Sequence, residues 1–468
     1  MTLPAEFIDM LDSLGLGDAA GAISSHEPEV SVRLNRAKPA DSLPAGTSGV
    51  VGWCPDGHYL KERPSFTMDP RWHQGRYYVQ EGASMFHGHV VRSLSAMTTR
   101  PLAVLDACAS PGGKTTAIID ALPAGSVVVA NEYVPSRAAI LRENVIKWGY
   151  PATIVTRGDT ARFADMGPVF DLIISDVPCS GEGMMRKDSE AVAQWSRGLV
   201  EECTARQREI VDNLWEALRP GGVMIYSTCT FNRSEDEMMV HHLIDDLGGE
   251  SVEIPVDESW GIIGALDDKG RIDPSIHCYR FVPGHTRGEG LFVSVIRKPG
   301  EPGDTGRHIS APKVKSKGKG KGKDKSLPIP PVASSWLENS SGYSIYATDD
   351  RVNAFPVEHI PLLSLVRQHI DVIHEGIVIG NIKGRDLVPS QSLVMSRALA
   401  SGAFPEVEVD LDTALRYLRG ESPVLPDGSP RGFVLLTFTG SPLGMVKNLG
   451  NRSNSLYPTS WRIRKSTV

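Results

Sequence analysis

The chain has 468 residues, of which 41% are hydrophobic and 22% are charged, and its formal net charge is −7 at pH 7. These values are ordinary for globular proteins, and the length suggests two to four domains. No apolar run is long enough to span a membrane, and the first residues lack the basic start and apolar middle of a signal peptide, so a cytoplasmic protein is expected. Six cysteines without a CxxC pair exclude a disulfide framework and argue against a metal site.

Residues 1–92 show a mixed pattern, which predicts a small N-terminal α+β region. The segment EVSVRLNRAKP predicts a short strand carrying Arg33 and Arg36. GRYYVQEGASMF, at 75–86, precedes a helical pattern.

Between about 93 and 300, short apolar runs alternate with amphipathic segments. The runs are LAVL (102–105), SVVVA (126–130), ATIV (152–155), DLIIS (171–175), GVMIY (222–226) and LFVSVI (291–296). Segments such as SRAAILRENVIKWG have the period of helices. Buried strands that alternate with helices predict an α/β domain with a parallel sheet.

The stretch DACASPGGKTT, at 106–116, resembles the end of a nucleotide-triphosphate loop. Such a loop needs a glycine at position 108, where this chain has Cys108, and this excludes the triphosphate interpretation. A strand, a tight Pro-Gly-Gly turn and a helix remain, and this geometry directs backbone N–H groups toward a negative group. The carboxylate of S-adenosylmethionine fits this description, with Lys114 beside it.

Acidic residues follow four successive apolar runs. They are Asp106, Glu132, Asp159 and Asp176. Ligands of α/β sheets bind at the carboxyl ends of the strands, and an acid about 20 residues beyond the glycine turn suits ribose hydroxyls. We expect these carboxylates to surround a ligand, since they would otherwise repel one another.

Two cysteines follow later strands, in DVPCSGEGMMRKD (176–188) and YSTCTFNRSEDE (226–237). Either Cys179 or Cys229 alone is most simply a buried structural thiol. Their shared position in polar turns at one sheet edge favours chemistry. A thiolate that adds to carbon 6 of cytosine makes carbon 5 nucleophilic toward a methyl group, and Asp176 can hold the ring nitrogen or the amine. The residues alone do not rank the two thiols.

Residues 301–332 are rich in Lys, Gly, Ser and Pro and predict a solvated linker. Its segment KVKSKGKGKGKDK holds seven lysines and one aspartate, which suits RNA phosphates but also serves solubility. Residues 333–468 have short strands and glycine turns, typical of a small β-rich unit. Its end combines cations with aromatic residues, as single-stranded RNA binding requires, although an ordinary basic tail has the same composition. These residues are Lys447, Arg452, Arg462, Arg464 and Lys465, with Tyr457 and Trp461.

Taken together, DACASPGGKTT, DVPCSGEGMMRKD and YSTCTFNRSEDE resemble the RNA cytosine-5 methyltransferases of the NOL/NOP/Sun type. The resemblance runs over roughly 30–300 and includes VRLNR, VQEGASM and GEGLFVSVIRK. GNIKGRDLVPS and GSPLGMVKNLGNRSNSLYP resemble the PUA-like RNA-binding domain of the bacterial small-subunit ribosomal RNA methyltransferases F. The resemblance implies a Rossmann-like methyltransferase sheet (93–300), an N-terminal α+β domain that contacts RNA (1–92) and a C-terminal β-rich PUA-like domain (333–468). The long lysine-rich linker (301–332) is a departure from the family and is expected to change how the C-terminal domain reaches RNA.

The resemblance also implies roles for residues that match the family motifs. The segment Cys108, Ala109, Ser110, Pro111, Gly112, Gly113 and Lys114 would line the methionine end of S-adenosylmethionine. Glu132 would bind the ribose, Asp159 the adenine edge, and Asp176 would lie between cofactor and base. Cys229 would be the nucleophile and Cys179 would serve product release. Cys108 and Ser110 stand where the family often has alanine, with little expected effect because the turn contributes mainly backbone.

We therefore expect methylation of carbon 5 of cytidine in 16S ribosomal RNA by a monomer without a metal ion. The same chemistry on transfer RNA is an alternative, because the active-site motifs do not separate the two substrates. A non-catalytic RNA-binding assembly factor is the alternative from another class.

Overall fold

The computed structural model describes residues 2–25, 27–38, 43–96, 98, 100–301 and 328–464. The lysine-rich segment of the predicted linker and Lys465 lie outside the described residues. Within the described ranges, no helix combines the length and the apolar character needed to cross a membrane.

The N-terminal part consists of two helices followed by a four-stranded antiparallel sheet in the order β2-β3-β1-β4. Its elements are α1 (Ala5–Ser13), α2 (Gly17–Ser25), β1 (Ser31–Leu34), β2 (Thr47–Val51), β3 (Cys54–Leu60), α3 (Pro70–His73) and β4 (Tyr77–Val79). Arg33 lies on β1 as predicted, whereas Arg36 lies in the turn that follows the strand.

The central part alternates helices and strands along the chain. Its elements are α4 (Phe86–Ser95), β5 (Ala103–Asp106), α5 (Gly113–Ile119), β6 (Val127–Glu132), α6 (Pro135–Trp148), β7 (Thr153–Arg157), α7 (Ala161–Ala164), β8 (Phe170–Asp176), α8 (Ser189–Gln194), α9 (Arg197–Ala217), β9 (Leu218–Thr228), α10 (Glu237–His241), β10 (Glu250–Ser251), β11 (Cys278–Phe281) and β12 (Leu291–Arg297). A π-helical turn, His242–Asp246, continues α10.

The central sheet has the order β10-β12-β9-β8-β5-β6-β7, with β11 also paired to β12. Strands β5 to β9 are mutually parallel, as predicted. The run at 291–296 departs from that prediction, because β12 pairs antiparallel with β9, and β10 and β11 pair antiparallel with β12. The sequence order reverses between β5 and β8, which is where α/β sheets bind their ligands.

Both faces of this sheet are buried, as a parallel sheet requires. Successive side chains of a strand point to opposite faces, so Leu105, Val129 and Ile173 join one apolar core. Their neighbours Val104, Val128 and Ile174 join the other. The helices therefore cover the sheet on two sides, and only its strand ends remain open for a ligand.

The C-terminal part contains two further four-stranded sheets, in the orders β13-β14-β16-β17 and β18-β19-β20-β21. Its elements are α11 (Val332–Ser335), β13 (Tyr343–Thr348), β14 (Arg351–Pro356), α12 (Ile360–His369), β15 (Asp371–Glu375), β16 (Ile377–Lys383), β17 (Asp386–Pro389), α13 (Gln391–Met395), β18 (Glu406–Glu408), α14 (Leu411–Leu418), β19 (Gly432–Phe438), β20 (Ser441–Asn448) and β21 (Ser453–Ser455).

Strand β15 belongs to neither of these two C-terminal sheets. It pairs antiparallel with β7 at the edge of the central sheet. An exposed sheet edge offers unpaired backbone groups, and β15 covers that edge. The segment that the sequence predicts as a unit of its own is thus joined to the central sheet through backbone hydrogen bonds.

The N-terminal and C-terminal parts also meet directly. Arg33 of β1 and Arg397 of the C-terminal part both pair with Asp120 at the end of α5, at 2.7 and 3.1 Å. Tyr457 has only 3% of its surface exposed, and its hydroxyl lies 3.3 Å from His73 of α3. Tyr457 is therefore buried where these two parts meet, and its ring is not open to stack on RNA.

Candidate active site

Five strand ends with polar residues meet at one edge of the central sheet. Asp106 ends β5, Glu132 ends β6 and Asp176 ends β8. Asp159 follows β7, and Cys229 follows β9. Because β5 to β9 run parallel, all the residues that the sequence singles out lie at this edge.

The turn 108–112 links β5 to α5 and is held tightly in place. Gly112 has φ +104°, which an L side chain adopts only with strain, and a Cβ there would lie 3.3 Å from Leu141. The carbonyl oxygen of Pro111 accepts hydrogen bonds from the Tyr78 hydroxyl at 3.1 Å and from Asn144 at 2.8 Å. The N-terminal part thus fixes the turn through β4.

The side chain of Ser110 also contributes to this anchoring, since its hydroxyl donates to the Arg137 carbonyl oxygen at 3.0 Å. Cys108 lies in the same turn, and burial raises the pKa of its thiol well above the usual range. The segment 108–114 therefore has one charged side chain. This is Lys114, since the other residues, Cys108, Ala109 and Gly113 among them, carry no charge at neutral pH.

The acids at the strand ends differ in their surroundings. Glu132 is 4% exposed and accepts from the backbone N–H of Val134 at 2.8 Å. Asp159 is exposed and accepts from the Ala161 N–H at 2.9 Å. These two carboxylates thus each have a hydrogen-bond donor within the protein. The predicted repulsion among the acids is nevertheless present, since burial and, after it, the charges of Asp176 and Glu132 raise the pKa of Asp106.

Asp106 stands apart, because it is fully buried. Its Oδ2 accepts from the Thr115 hydroxyl at 2.6 Å, while its Oδ1 is buried and has no hydrogen-bond partner among the described residues. Burial raises the pKa of this carboxyl to about 7. An unpartnered buried oxygen is costly, and a ligand with hydroxyl or ammonium donors would satisfy it.

Lys114 and Asp176 form an ion pair at 2.7 Å, between α5 and the end of β8. Burial lowers the pKa of Lys114, but the charge of Asp176 and the hydrogen bond to it more than compensate, so that the pKa is raised. The other oxygen of Asp176 accepts from the Ser227 hydroxyl at 2.8 Å. Both charges are thus held in place before any ligand binds.

The two cysteines that the sequence singles out lie side by side. The Sγ atoms of Cys179 and Cys229 are 3.0 Å apart, and the backbone N–H of Cys229 points to the Cys179 sulfur at 3.4 Å. The hydrogen bond with Cys229 and burial raise the pKa of Cys179 well above its usual value. Cys179 therefore keeps its proton at neutral pH, and the geometry allows either sulfur atom to be the donor of the contact.

Beneath these thiols lies a cluster of fully buried charged residues that the sequence analysis did not assign. This buried charge cluster consists of Glu182, Glu235, Asp236, Glu237 and Arg280. Glu182 accepts from the backbone N–H groups of Phe231 and Asn232 at 2.6 and 3.0 Å. The acids of YSTCTFNRSEDE were a signal for it, but their partners are distant in sequence.

The buried charge cluster fixes the two cysteine loops relative to each other. Glu235 accepts from the backbone N–H of Ser180 at 3.0 Å and from Gln207 at 2.7 Å. Asp236 accepts from the Thr228 hydroxyl at 2.6 Å and pairs with Arg280 at 2.9 Å. Each cysteine is therefore flanked by a residue that the cluster holds by hydrogen bonds.

Known proteins resemble the chain over almost its full length. It is 32% identical over 462 residues to ribosomal RNA small subunit methyltransferase F of Escherichia coli O127:H6 (strain E2348/69 / EPEC), which covers 92% of this chain and 89% of that protein. The enzyme of the same name from Klebsiella pneumoniae (strain 342) is 30% identical over 87% of this chain and 83% of its own length.

The chain belongs to the ribosomal RNA small subunit methyltransferase F family. Three family models agree with this assignment. Residues 98–297 match 16S rRNA methyltransferase RsmB/F, residues 3–82 match the N-terminal domain of 16S rRNA methyltransferase RsmF, and residues 404–463 match the methyltransferase RsmF PUA domain. The Rossmann-like fold and the PUA domain that the sequence predicts are thereby confirmed.

Solved structures give the same fold. A methyltransferase homologue from Pyrococcus horikoshii has a TM-score of 0.52 and 23% identity, over 63% of this chain and 100% of its own. NSun6 from the same organism, solved with SFG, has a TM-score of 0.52 and 18% identity, over 64% of this chain and 99% of its own. This chain therefore shares its fold with solved proteins of low sequence identity.

Proposed function

We propose that the protein methylates carbon 5 of cytidine in small-subunit ribosomal RNA, with S-adenosylmethionine as methyl donor. The observation that carries the proposal is the pair of thiols 3.0 Å apart at the sheet edge that also holds the Lys114–Asp176 ion pair. A cytosine ring needs a thiolate to make its carbon 5 nucleophilic. Reactions at nitrogen or oxygen atoms need no such pair.

The residues at the strand ends fit S-adenosylmethionine. The unpartnered Oδ1 of Asp106 and the buried carboxylate of Glu132 offer acceptors for ammonium and hydroxyl groups. In this proposal the turn 108–114 holds the methionine end, Glu132 the ribose and Asp159, which is exposed at the edge, the adenine. The cofactor supplies a methyl group bound to a positively charged sulfur, which is the electrophile of the reaction.

Cys229 is proposed as the nucleophile. Cys179 keeps its proton because its pKa is raised, so it donates to Cys229 and stabilises a thiolate there. As the bond between the Cys229 Sγ and carbon 6 forms, the electron pair of the 5,6 double bond becomes available at carbon 5, which takes the methyl group while the electron pair of the broken methyl–sulfur bond stays on the donor sulfur. A base then takes the proton from carbon 5, the double bond re-forms, and the bond to Sγ breaks with its electron pair returning to the Cys229 thiolate.

Asp176 is proposed to act on the cytosine before this step, and Cys179 after it. Asp176 is proposed to hold the cytosine, because its carboxylate lies beside Lys114 and Ser227 at the same edge as the thiols. Cys179 is proposed to assist release of the methylated product. The target base has to leave its stack to reach these groups.

Ribosomal RNA is proposed as the substrate because the relatives are named for it and because the PUA-domain match covers 404–463. The test uses S-adenosylmethionine with a labelled methyl group, and 16S RNA, assembled small subunits and transfer RNA as parallel substrates. We expect labelled 5-methylcytidine, identified by nucleoside mass spectrometry, in one of the ribosomal substrates. Label on transfer RNA alone overturns the substrate assignment, and absence of 5-methylcytidine from all three overturns the reaction.

The matched variants are Cys229→Ala and Cys54→Ala, since Cys54 is a buried thiol on β3 of the N-terminal sheet. Cys229→Ala is expected to abolish 5-methylcytidine formation, and Cys54→Ala to keep it. A chain that bound ribosomal RNA but transferred no methyl group would instead be a non-catalytic assembly factor.

A further inference from the structure

A line of buried polar side chains leads from Asp176 into the protein. The Ser227 hydroxyl oxygen lies 2.8 Å from Oδ1 of Asp176, and Nε2 of His87 lies 3.0 Å from the same Ser227 oxygen. Ser227 and His87 have no exposed surface. His87 lies on α4, 140 residues before Ser227 in the sequence, so nothing in the motifs of the strand ends points to it.

Counting the hydrogen atoms on Asp176, Ser227 and His87 fixes which group donates in each of the two hydrogen bonds. Oδ2 of Asp176 is paired with Lys114, and a carboxylate that is paired with an ammonium group can only accept hydrogen bonds. The contact with Ser227 therefore requires the hydroxyl to donate. A serine hydroxyl has a single proton, so its oxygen can only accept from His87, and Nε2 has to carry a hydrogen atom.

The imidazole of His87 has one proton to place. Burial, and secondarily the charge of Lys114, lower the pKa of His87 to about 3, so the ring is neutral at neutral pH. Its Nδ1 faces the carbonyl oxygen of Ser84 at 3.2 Å, which is the longer of its two contacts. With its proton on Nδ1, the ring would donate to that carbonyl, and Nε2 would be an acceptor. The Ser227 hydroxyl would then donate to Nε2 instead of to Asp176.

We propose that His87 is a positioning residue for the reaction proposed above: it donates from Nε2 to Ser227, commits the Ser227 hydroxyl to Asp176, and so keeps that carboxylate ionised as a hydrogen-bond acceptor. This role rests on the proposed function. Each oxygen of a carboxylate has two lone pairs, so Asp176 can accept from Ser227, from Lys114 and also from the amino group of cytosine. Uracil has an oxygen in place of that amino group, and an ionised Asp176 repels it.

Other titratable groups also face this part of the site. Those around Asp176 and His87 are Lys114, Asp106, Cys108, Cys179, Tyr226 and Cys229. Only Lys114 is a cation among them, so the donors that hold Asp176 ionised are Lys114 and the line through Ser227. Loss of the line is expected to make the carboxylate take up a proton more readily.

The first test reads the proton directly and needs neither cofactor nor RNA. Nitrogen NMR of the full chain with labelled histidine distinguishes the two neutral tautomers, and a His87→Gln sample assigns the signal. We expect a neutral His87 with its hydrogen on Nε2 from pH 6 to pH 8. A hydrogen on Nδ1, or a cationic ring in that range, overturns the proposal.

The second test uses two substitutions that place a side-chain amide at different distances from the backbone of position 87. In His87→Gln the side-chain nitrogen reaches the position of Nε2 and can donate to Ser227, whereas in His87→Asn it reaches only the position of Nδ1. We expect His87→Asn to shift the acidic limb of the kcat–pH profile upward by about one unit, so that the rate falls by up to about tenfold on the acidic side of the limb and changes little on its alkaline side. His87→Gln is expected to restore the original limb.

The control is His89→Gln, because His89 lies on the same helix and its Nε2 contacts the Pro255 carbonyl oxygen at 2.7 Å instead of the site. Equal profiles for His87→Asn and the unaltered chain, or a loss that is uniform across pH, overturn the proposal. If the unaltered chain forms no 5-methylcytidine, the proposed function fails, and the NMR measurement still decides the direction of the hydrogen bonds. If both His87 variants unfold, the His87 ring signal is assigned by correlation to its own backbone resonances in the unaltered chain, and the tautomer measurement then decides alone.

Discussion

The rim of the candidate active site and the buried charge cluster beneath it both hold charged side chains, but under opposite conditions. The rim consists of Lys114, Asp176, Cys179 and Cys229, which are all partly exposed. The cluster consists of Glu182, Glu235, Asp236, Glu237 and Arg280, which are 0% exposed. Rim groups can contact a ligand, whereas cluster groups contact only other buried groups of the protein.

This difference predicts two kinds of response to substitution. A buried charge that loses its partner costs several kcal/mol of folding free energy, because nothing replaces the lost interaction. A partly exposed charge that loses its partner is stabilised by water. Changes in the cluster should therefore unfold the protein, and changes in the rim should slow its reaction while the fold persists.

The largest effect is expected for Arg280→Met. Arg280 pairs with Asp236 at 2.9 Å and with Glu237 at 2.6 Å, and its removal leaves two buried acids without a cation. The free energy of unfolding should fall by about 3–5 kcal/mol, measured by denaturant titration. The control Arg271→Met breaks an exposed pair with Asp267 and should leave the free energy of unfolding nearly unchanged, because water replaces the interaction. Equal losses for the two variants would contradict the account.

Lys114→Met should show the opposite behaviour at the rim. Asp176 loses its cation, and methyl transfer in single-turnover experiments should fall about 100-fold, as for other charges aligned with a reacting group. The free energy of unfolding should change by less than about 1 kcal/mol. Lys298→Met is the control, since Lys298 donates to the Trp215 carbonyl oxygen at the opposite end of the sheet. An unfolded Lys114→Met chain would remove the contrast between rim and cluster.

The two thiols of the rim should differ in their reaction with iodoacetamide. The hydrogen bond with Cys229 is the main cause of the raised pKa of Cys179, and only a thiolate is alkylated. Cys179 should therefore react slowly at pH 8 and faster only at higher pH. In Cys229→Ala this cause is gone, the pKa of Cys179 falls, and alkylation at pH 8 should rise about tenfold, measured by peptide mass spectrometry. A slower reaction of Cys179 in the variant would be inconsistent with Cys179 as the donor.

The smallest effect is expected where the N-terminal part touches the turn. Tyr78→Phe removes one of the two donors to the Pro111 carbonyl oxygen, while the one from Asn144 remains. Calorimetry should show about threefold weaker binding of S-adenosylmethionine, in line with a single neutral hydrogen bond. Tyr343→Phe, on β13, should leave the affinity unchanged. A loss of all binding in Tyr78→Phe would mean that this contact shapes the turn by itself.

The same contrast explains what could be predicted from the sequence. The parallel strands β5 to β9 and the turn at 108–114 were predictable, because strand and helix periods and glycine turns are local patterns. The rim was predictable for a related reason, since its residues directly follow strands whose ends meet at one edge. The roles proposed for Cys179, Cys229 and the cofactor residues remain predictions.

Contacts between distant segments could not be predicted. His87 meets Ser227 across 140 residues, and Arg280 meets Asp236 across 44. Tyr457 has cationic neighbours in the sequence, but its hydroxyl contacts His73 of the N-terminal part and its ring lies beside Tyr417 and Trp461. The sequence of β15 does not indicate that it extends the central sheet, because the pairing of two remote strands cannot be inferred from the sequence of one of them.

The central claim is that Cys229 forms the bond to cytosine and that Cys179 is needed to release it. The most direct measurement incubates Cys179→Ala with S-adenosylmethionine and the RNA substrate, and then maps any covalent complex by tandem mass spectrometry. We expect an RNA–protein complex that survives denaturation and in which Cys229 carries the nucleotide. A complex attached to another residue, or free 5-methylcytidine without any complex, would contradict this assignment.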